Sequence, residues 1–164
     1  MGRQIFAVGV MVIALTGSSV FASLGGGAQE QAAGAATQRH ATTRTAADPQ
    51  LQWGPCPAFM PTGCTLAVLH GDPSKPNADV FLKLPPNSEI ADHWHTSAER
   101  MLLVTGEMRV TYKGQPTVSL APGTYAYGPA KLPHTGACVG NAPCVLFIAF
   151  ESPVDAVETK ATKK

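Results

Sequence analysis

His93 and His95 stand one residue apart in "ADHWHTSAERM", and Glu99 follows four residues after the second. In an extended strand, residues two apart project from the same face, so the two imidazoles point together and Trp94 points away. A metal ion needs that presentation from two nitrogen ligands on a rigid element. Glu99 lies beyond a bend at "TSA" and can return a carboxylate toward the same space. Two nitrogens and one oxygen from adjacent strands form a facial set that leaves positions for water, substrate or dioxygen. His134, in "YGPAKLPHTG", is a fourth candidate, with Pro129 and Pro133 stiffening its approach to a strand start. The competing reading is ordinary strand polarity: histidines held by hydrogen bonds with no ion between them.

Positioning such residues falls to short strands. From Leu51 to Pro153, Pro and Gly interrupt the chain every several residues. Between the breaks lie "TLAVLHG", "ADVFLKL", "RMLLVTG", "EMRVTYKG", "PTVSLAPG", "TYAYGP" and "CVLFIAF", rich in β-branched and aromatic residues. Regular short strands with turn signals predict an all-β sandwich or barrel. No internal repeat is visible, so a single barrel is expected. A helix has a weak footing only in the tail from Ser152 onward. "MLLVTGEMRVTYKG" reads as a hairpin turning at Gly106 and Glu107, with Met108, Val110 and Tyr112 on one face. Met101 and Leu103 share the face of Glu99 and read as barrel lining. In "CVLFIAF", Leu146, Ile148 and Phe150 alternate with Val145, Phe147 and Ala149, the pattern of a strand buried on both sides.

The chain has 164 residues, enough for one domain with a sizeable core once non-folding parts are set aside. Residues 1–22 read as a secretory signal: Arg3, an apolar run from Ile5 to Leu15, and small residues ending at Ala22. The run falls short of the roughly 20 apolar residues of a membrane span, although an uncleaved anchor is the alternative. Residues 23–50, rich in Ala, Gly, Thr and Gln, read as a flexible leader, 51–153 as the folded domain and 154–164 as a charged tail. Without the signal, eleven basic residues balance eleven acidic ones, so no basic surface for nucleic acid is expected. No membrane association is expected after processing, and the expected location is secreted or periplasmic. Cys56, Cys64, Cys138 and Cys144 all follow the signal, and an even count in an exported chain predicts disulfides. Three pairings are possible. Cys56–Cys64 and Cys138–Cys144 are favoured, because each pair brackets a turn containing Pro and Gly.

At His93-x-His95-x3-Glu99-x6-Gly106 the chain resembles the first motif of the cupins. Gly123-x5-Pro129 followed by His134 resembles the second, and sixteen residues separate Gly106 from Gly123, a separation of cupin type. The resemblance covers roughly Leu51 to Pro153. Asn87 stands where the first motif usually opens with Gly, Lys131 replaces a Gly, and Cys138 replaces an Asn. The resemblance implies a single conserved cupin barrel of jelly-roll type, often dimeric, with a metal in its mouth. It also implies His93, His95, Glu99 and His134 as the ligands. That donor set suits one divalent transition metal, here copper, iron or manganese, and disfavours the all-oxygen preferences of calcium and magnesium.

Open coordination positions let an ion bind a substrate oxygen or dioxygen. The leading functional expectation is a metal-dependent oxidoreductase carrying out oxygen-dependent oxidation of a carbohydrate or other small organic substrate. A non-redox lyase or isomerase, and a non-catalytic binding or sensor protein, are the alternatives. Tyr125 and Tyr127 share a face ahead of the His134 turn and are the candidate proton donors or substrate contacts; otherwise they are packed aromatics. Lys131 can attract an anion at the mouth or stand as a solvated turn residue.

Overall fold

A computed structural model describes residues 41–159. The expected signal segment and most of the expected leader lie outside the described residues. Eleven strands appear among those residues: β1 (Trp53–Pro55), β2 (Thr65–His70), β3 (Ala78–Leu84), β4 (Ser88–Trp94), β5 (Glu99–Thr105), β6 (Glu107–Tyr112), β7 (Val118–Leu120), β8 (Tyr125–Gly128), β9 (His134–Val139), β10 (Cys144–Phe150) and β11 (Val157–Glu158). They form two antiparallel sheets, ordered β1-β2-β3-β10-β5-β8 and β11-β4-β9-β6-β7. This is the jelly-roll sandwich expected from the strand pattern.

Alternation along the strands builds the core. Val80, Leu82 and Leu84 of β3, Met101 and Leu103 of β5, and Met108, Val110 and Tyr112 of β6 belong to one buried cluster. Leu146, Ile148 and Phe150 of β10 join it, while Val145 and Phe147 belong to a second cluster with Leu51, Ala67 and Phe81. The two-sided burial expected for β10 is therefore present. Each fully buried Leu, such as Leu84, Leu103 or Leu146, contributes about 1.5–3 kcal/mol relative to exposure. Ala46 packs against the second cluster, and turns close at Asp48 and Leu51. Ordered contacts thus begin a few residues ahead of the boundary expected at Leu51.

Two local expectations are corrected. The run around Gly106 is not a paired hairpin: β5 pairs with β8 and β10, whereas β6 pairs with β7 and β9. Gly106, at φ 85°, is the corner where the chain passes from one sheet to the other. A Cβ there would stand 2.8 Å from the Pro143 carbonyl oxygen and 2.9 Å from the Cys144 sulfur, so the corner admits only glycine. The tail contains no helix within the described residues; Val157 and Glu158 instead pair with Trp94 and His93 at the edge of β4. Backbone pairing at an open sheet edge outweighs the weak helical tendency of this segment.

Both favoured disulfides, Cys56–Cys64 and Cys138–Cys144, are present. The second joins β9 of one sheet to β10 of the other at a fully buried point.

Candidate metal centre

His93 reaches the interior because β4 carries a bulge. Ile90 pairs with Gly136 and His93 with His134, with the irregularity between them at Ala91 and Asp92. Strict alternation from Ile90 would turn His93 outward; the extra residue restores it to the inner face. His95 follows just beyond the strand, Glu99 opens β5 and His134 opens β9. Asn87 and Lys131, both at positions where the motif pattern has Gly, adopt φ of 52° and 61°. The left-handed turns are therefore kept without the glycines. The Lys131 amide donates to the His95 carbonyl at 2.8 Å, while its side chain is exposed.

Four sequence-expected residues come together. The ligating atoms of His93, His95 and His134 lie within 4.8 Å of one another. Glu99 Oε2 is 3.4 Å from His95 Nε2, and Glu99 Oε1 is 3.2 Å from His134 Nε2. His93 and Glu99 are each only 2% exposed, and His95 and His134 are also buried.

Each imidazole is oriented by its other nitrogen. His93 Nδ1 donates to the Ala91 carbonyl at 2.9 Å and His134 Nδ1 to the Leu132 carbonyl at 3.2 Å. His95 Nδ1 donates to the carbonyl of Asp155, sixty residues away. A ring that donates through Nδ1 while neutral carries its lone pair on Nε2. Burial lowers the His93 pKa to about 4 and that of His134 to about 3, so both rings are neutral near pH 7. Burial likewise raises the Glu99 pKa, against the opposing pull of His95 and a hydrogen bond from Tyr112. The close His134–Glu99 approach is therefore not a salt bridge at neutral pH. It sets a nitrogen lone pair against a carboxyl oxygen, and two acceptors at that distance need a proton or a cation between them. Three imidazoles, each anchored from behind by a backbone carbonyl, and one carboxylate fit a divalent transition metal.

Gly128 and Tyr112 complete the surroundings. A Cβ on Gly128 would lie 2.6 Å from Glu99 Oε1 and 2.9 Å from the Tyr112 hydroxyl, so the carboxylate occupies space that glycine leaves free. The Tyr112 hydroxyl donates a long bond, 3.5 Å, to Glu99 Oε1, and burial first, then Glu99, push its pKa up. Tyr112 sits on the inward face already legible in β6, where it alternates with Thr111; its closeness to Glu99 depends on a contact between strands. Asp155 had no local signal.

Tyr125 and Tyr127 are not brought to this centre. They stand 59% and 52% exposed on the outer face of β8, opposite Leu102 and Arg100. Ala126 and Gly128, opposite Met101 and Glu99, are the less exposed residues of that strand, so its alternation turns the tyrosines away. Tyr112 is the tyrosine at the site.

A small space of about 30 Å³ adjoins the four residues, walled also by Met60, Leu82, Met101, Met108 and Ile148. A larger depression, about 630 Å³, lies on the outer face of the sheet that carries His93 and His134, over Glu89, Arg109, Thr111 and Thr135 of β4, β6 and β9. Size alone would favour the depression, but its polar side chains alternate away from the histidines.

A family model described as "Cupin domain" matches residues 80–150. No curated protein matches the chain. Among solved structures, one of DMSP lyases is similar at 17% identity and a TM-score of 0.60, covering 68% of this chain and 64% of that one. The DMSP lyase DddQ from Ruegeria pomeroyi is similar at 19% identity and 0.58, covering 70% and 64%. Bacillus subtilis oxalate decarboxylase OxdC is similar at 19% and 0.54, covering 66% and 30%. The chain therefore spans just under two thirds of the lyase chains it matches. At these identities the likeness is one of fold.

Proposed function

Because the chain belongs to the cupin superfamily, we propose that it holds one divalent transition metal on His93, His95, Glu99 and His134 and is a metal-dependent oxidoreductase acting with dioxygen on a small organic molecule. The observation that carries this reading is the clustering of the three imidazoles, with His95 and His134 Nε2 turned to Glu99 and each ring fixed from behind by a backbone carbonyl. Copper, iron or manganese would supply Lewis acidity and electron transfer when bound.

The chain's own residues bind and exclude. Nine further residues line the innermost space: Met60, Leu82 and Ile90, then Met101, Met108 and Val110, then Gly136, Leu146 and Ile148. None has a side chain that gives or takes a proton, so this wall keeps bulk water from the ligands and leaves chemistry to the centre itself. That favours oxidation over reactions needing a separate base. A lyase reading draws on Tyr112, which holds a proton beside Glu99; structures named DMSP lyase and oxalate decarboxylase share the fold. Export is part of the proposal: two disulfides suit an oxidising compartment. No helix among the described residues is long and apolar enough to cross a membrane.

The test is elemental analysis after reconstitution with copper, iron and manganese in turn, then oxygen uptake against pooled small organic substrates. One ion per chain, and uptake abolished in His95→Ala, is the expected result. Turnover without oxygen that falls in Tyr112→Phe would move the assignment to the lyase; ligand binding without turnover would make it a sensor. Failure to retain any ion would end the metal reading.

A further inference from the structure

A second cavity, about 210 Å³, opens beside His95. Its walls come from three places: the loop closed by Cys56–Cys64, the inner strands β3 and β10, and the tail ahead of β11. Met60, Leu82, His95 and Ile148 border both this cavity and the small space at the four clustered residues, so the two are neighbours across a shared wall. Phe150 and Val154 extend the lining outward. Resting on the metal-centre reading above, we infer that this cavity seats the body of the substrate. The substrate is a small molecule built on a single aromatic ring, with one oxygen substituent directed past His95, rather than a carbohydrate.

Three observations lead there. The first is polarity. His95 and Asp155 are the only lining residues with ionisable side chains, and much of their capacity is already engaged. His95 Nδ1 donates to the Asp155 carbonyl, and Asp155 Oδ1 accepts the Thr96 amide at 2.8 Å. A sugar brings a hydroxyl on almost every carbon, and each would leave water without a partner, which disfavours its entry. One oxygen group, by contrast, can reach the metal-binding side.

The second observation is size. An apolar cavity of about 150 Å³ accommodates benzene, so this one takes a ring with a short substituent and little more. The third is the character of the walls. Phe150 stands at 62° to the His95 ring with centroids 5.5 Å apart, leaving an aromatic surface beside the cavity. The Met60 thioether adds a polarisable contact of the kind that favours ring edges. Flat aromatic and thioether surfaces complement a ring better than they do a flexible alkyl chain.

The test uses the full chain labelled at its methionine methyls, with and without its ion, titrated with phenol, benzoate, butyrate and glucose. Met60→Leu assigns the Met60 signal. Phenol or benzoate should shift that signal saturably, and Val154→Trp, which fills the cavity, should weaken binding at least tenfold. If that variant fails to fold, Ala156→Leu provides the same comparison. The inference is overturned if no aromatic probe moves Met60. It is also overturned if glucose or butyrate binds more tightly than phenol and benzoate, or if cavity filling leaves aromatic binding unchanged. Metal content measured on the same samples separates the two ideas. One ion per chain with a silent Met60 removes the substrate assignment alone, whereas a responsive Met60 without an ion removes the metal reading and leaves the cavity occupied as inferred.

Discussion

Glu99 has its oxygens against His95 and His134, Tyr112 at one of them, and the bare face of Gly128 on its flank. Gly128→Ala would place a methyl 2.6 Å from Oε1 and push the carboxylate off its position. Loss of such support typically weakens metal affinity about 10–100-fold, so chelator competition should show a drop of that size while the strand spectrum is unchanged. The histidines set a pH dependence in the metal-free protein. His93 and His134 titrate near 4 and 3 when folded, against 6.5 for an unperturbed ring. Below pH 6.5 the unfolded chain binds protons that these folded rings do not take up, so their contribution to stability falls as pH drops from about 6.5 toward 4 and 3. Glu99 acts oppositely: its raised pKa favours the folded state at low pH and loses that contribution as pH rises through the folded value. Melting of the chelated protein should therefore show a shallower acid-side loss in His134→Gln than in the wild type. The four residues that cluster were legible from the i, i+2 histidines and the motif spacing. Gly128 was not, because its role depends on which strand pairs with Glu99.

At the scale of elements, the tail and the 95–96 turn form one unit. His95 Nδ1 is held by the Asp155 carbonyl, Thr96 N by the Asp155 carboxylate, and the Ser97 hydroxyl accepts from the amides of Glu151 and Ser152. Val157 and Glu158 extend the hold along β4. Asp155 thus holds the His95 ring through its backbone carbonyl and the Thr96 amide through its side chain. Asp155→Ala keeps the carbonyl and loses only the bond to Thr96, costing about 1 kcal/mol of stability with metal affinity nearly unchanged. A chain ending at Pro153 loses the carbonyl as well, and its metal affinity should fall about 10–100-fold by the same chelator competition. Equal effects of the two changes would show that the carbonyl does not position the ring. Short-range pattern made the strands legible, including the two-sided β10. It misassigned the Gly106 corner, because a glycine between two apolar runs marks a hairpin and a change of sheet alike. The β4 bulge and β11 depend on pairing partners distant in sequence, which local alternation does not encode.

For the molecule as a whole, the two sheets must stay in register for His93 of β4, Glu99 of β5 and His134 of β9 to meet, and the apolar core between them does most of that. The Cys138–Cys144 bond adds a covalent tie from β9 to β10 at the buried end where Gly106 also crosses between sheets. A jelly roll was legible from strand count and motif order. Which cysteines meet was suggested by the turns they bracket, and the cross-sheet role of one pair emerges only from the topology. Closing a loop this short removes chain entropy worth about 2–3 kcal/mol, or roughly 10 °C in melting temperature for a domain of this size. Cys138→Ala with Cys144→Ala should show that loss in thermal melts and also weaken metal retention, because β9 carries His134. The Cys56–Cys64 bond closes a loop of similar length, so Cys56→Ala with Cys64→Ala should lose similar stability, but that loop walls the cavity beside His95 and carries none of the four clustered residues. Metal content should therefore survive the second pair of substitutions and decline with the first. The same pattern in both would mean that the ion depends on global stability rather than on the register between the sheets.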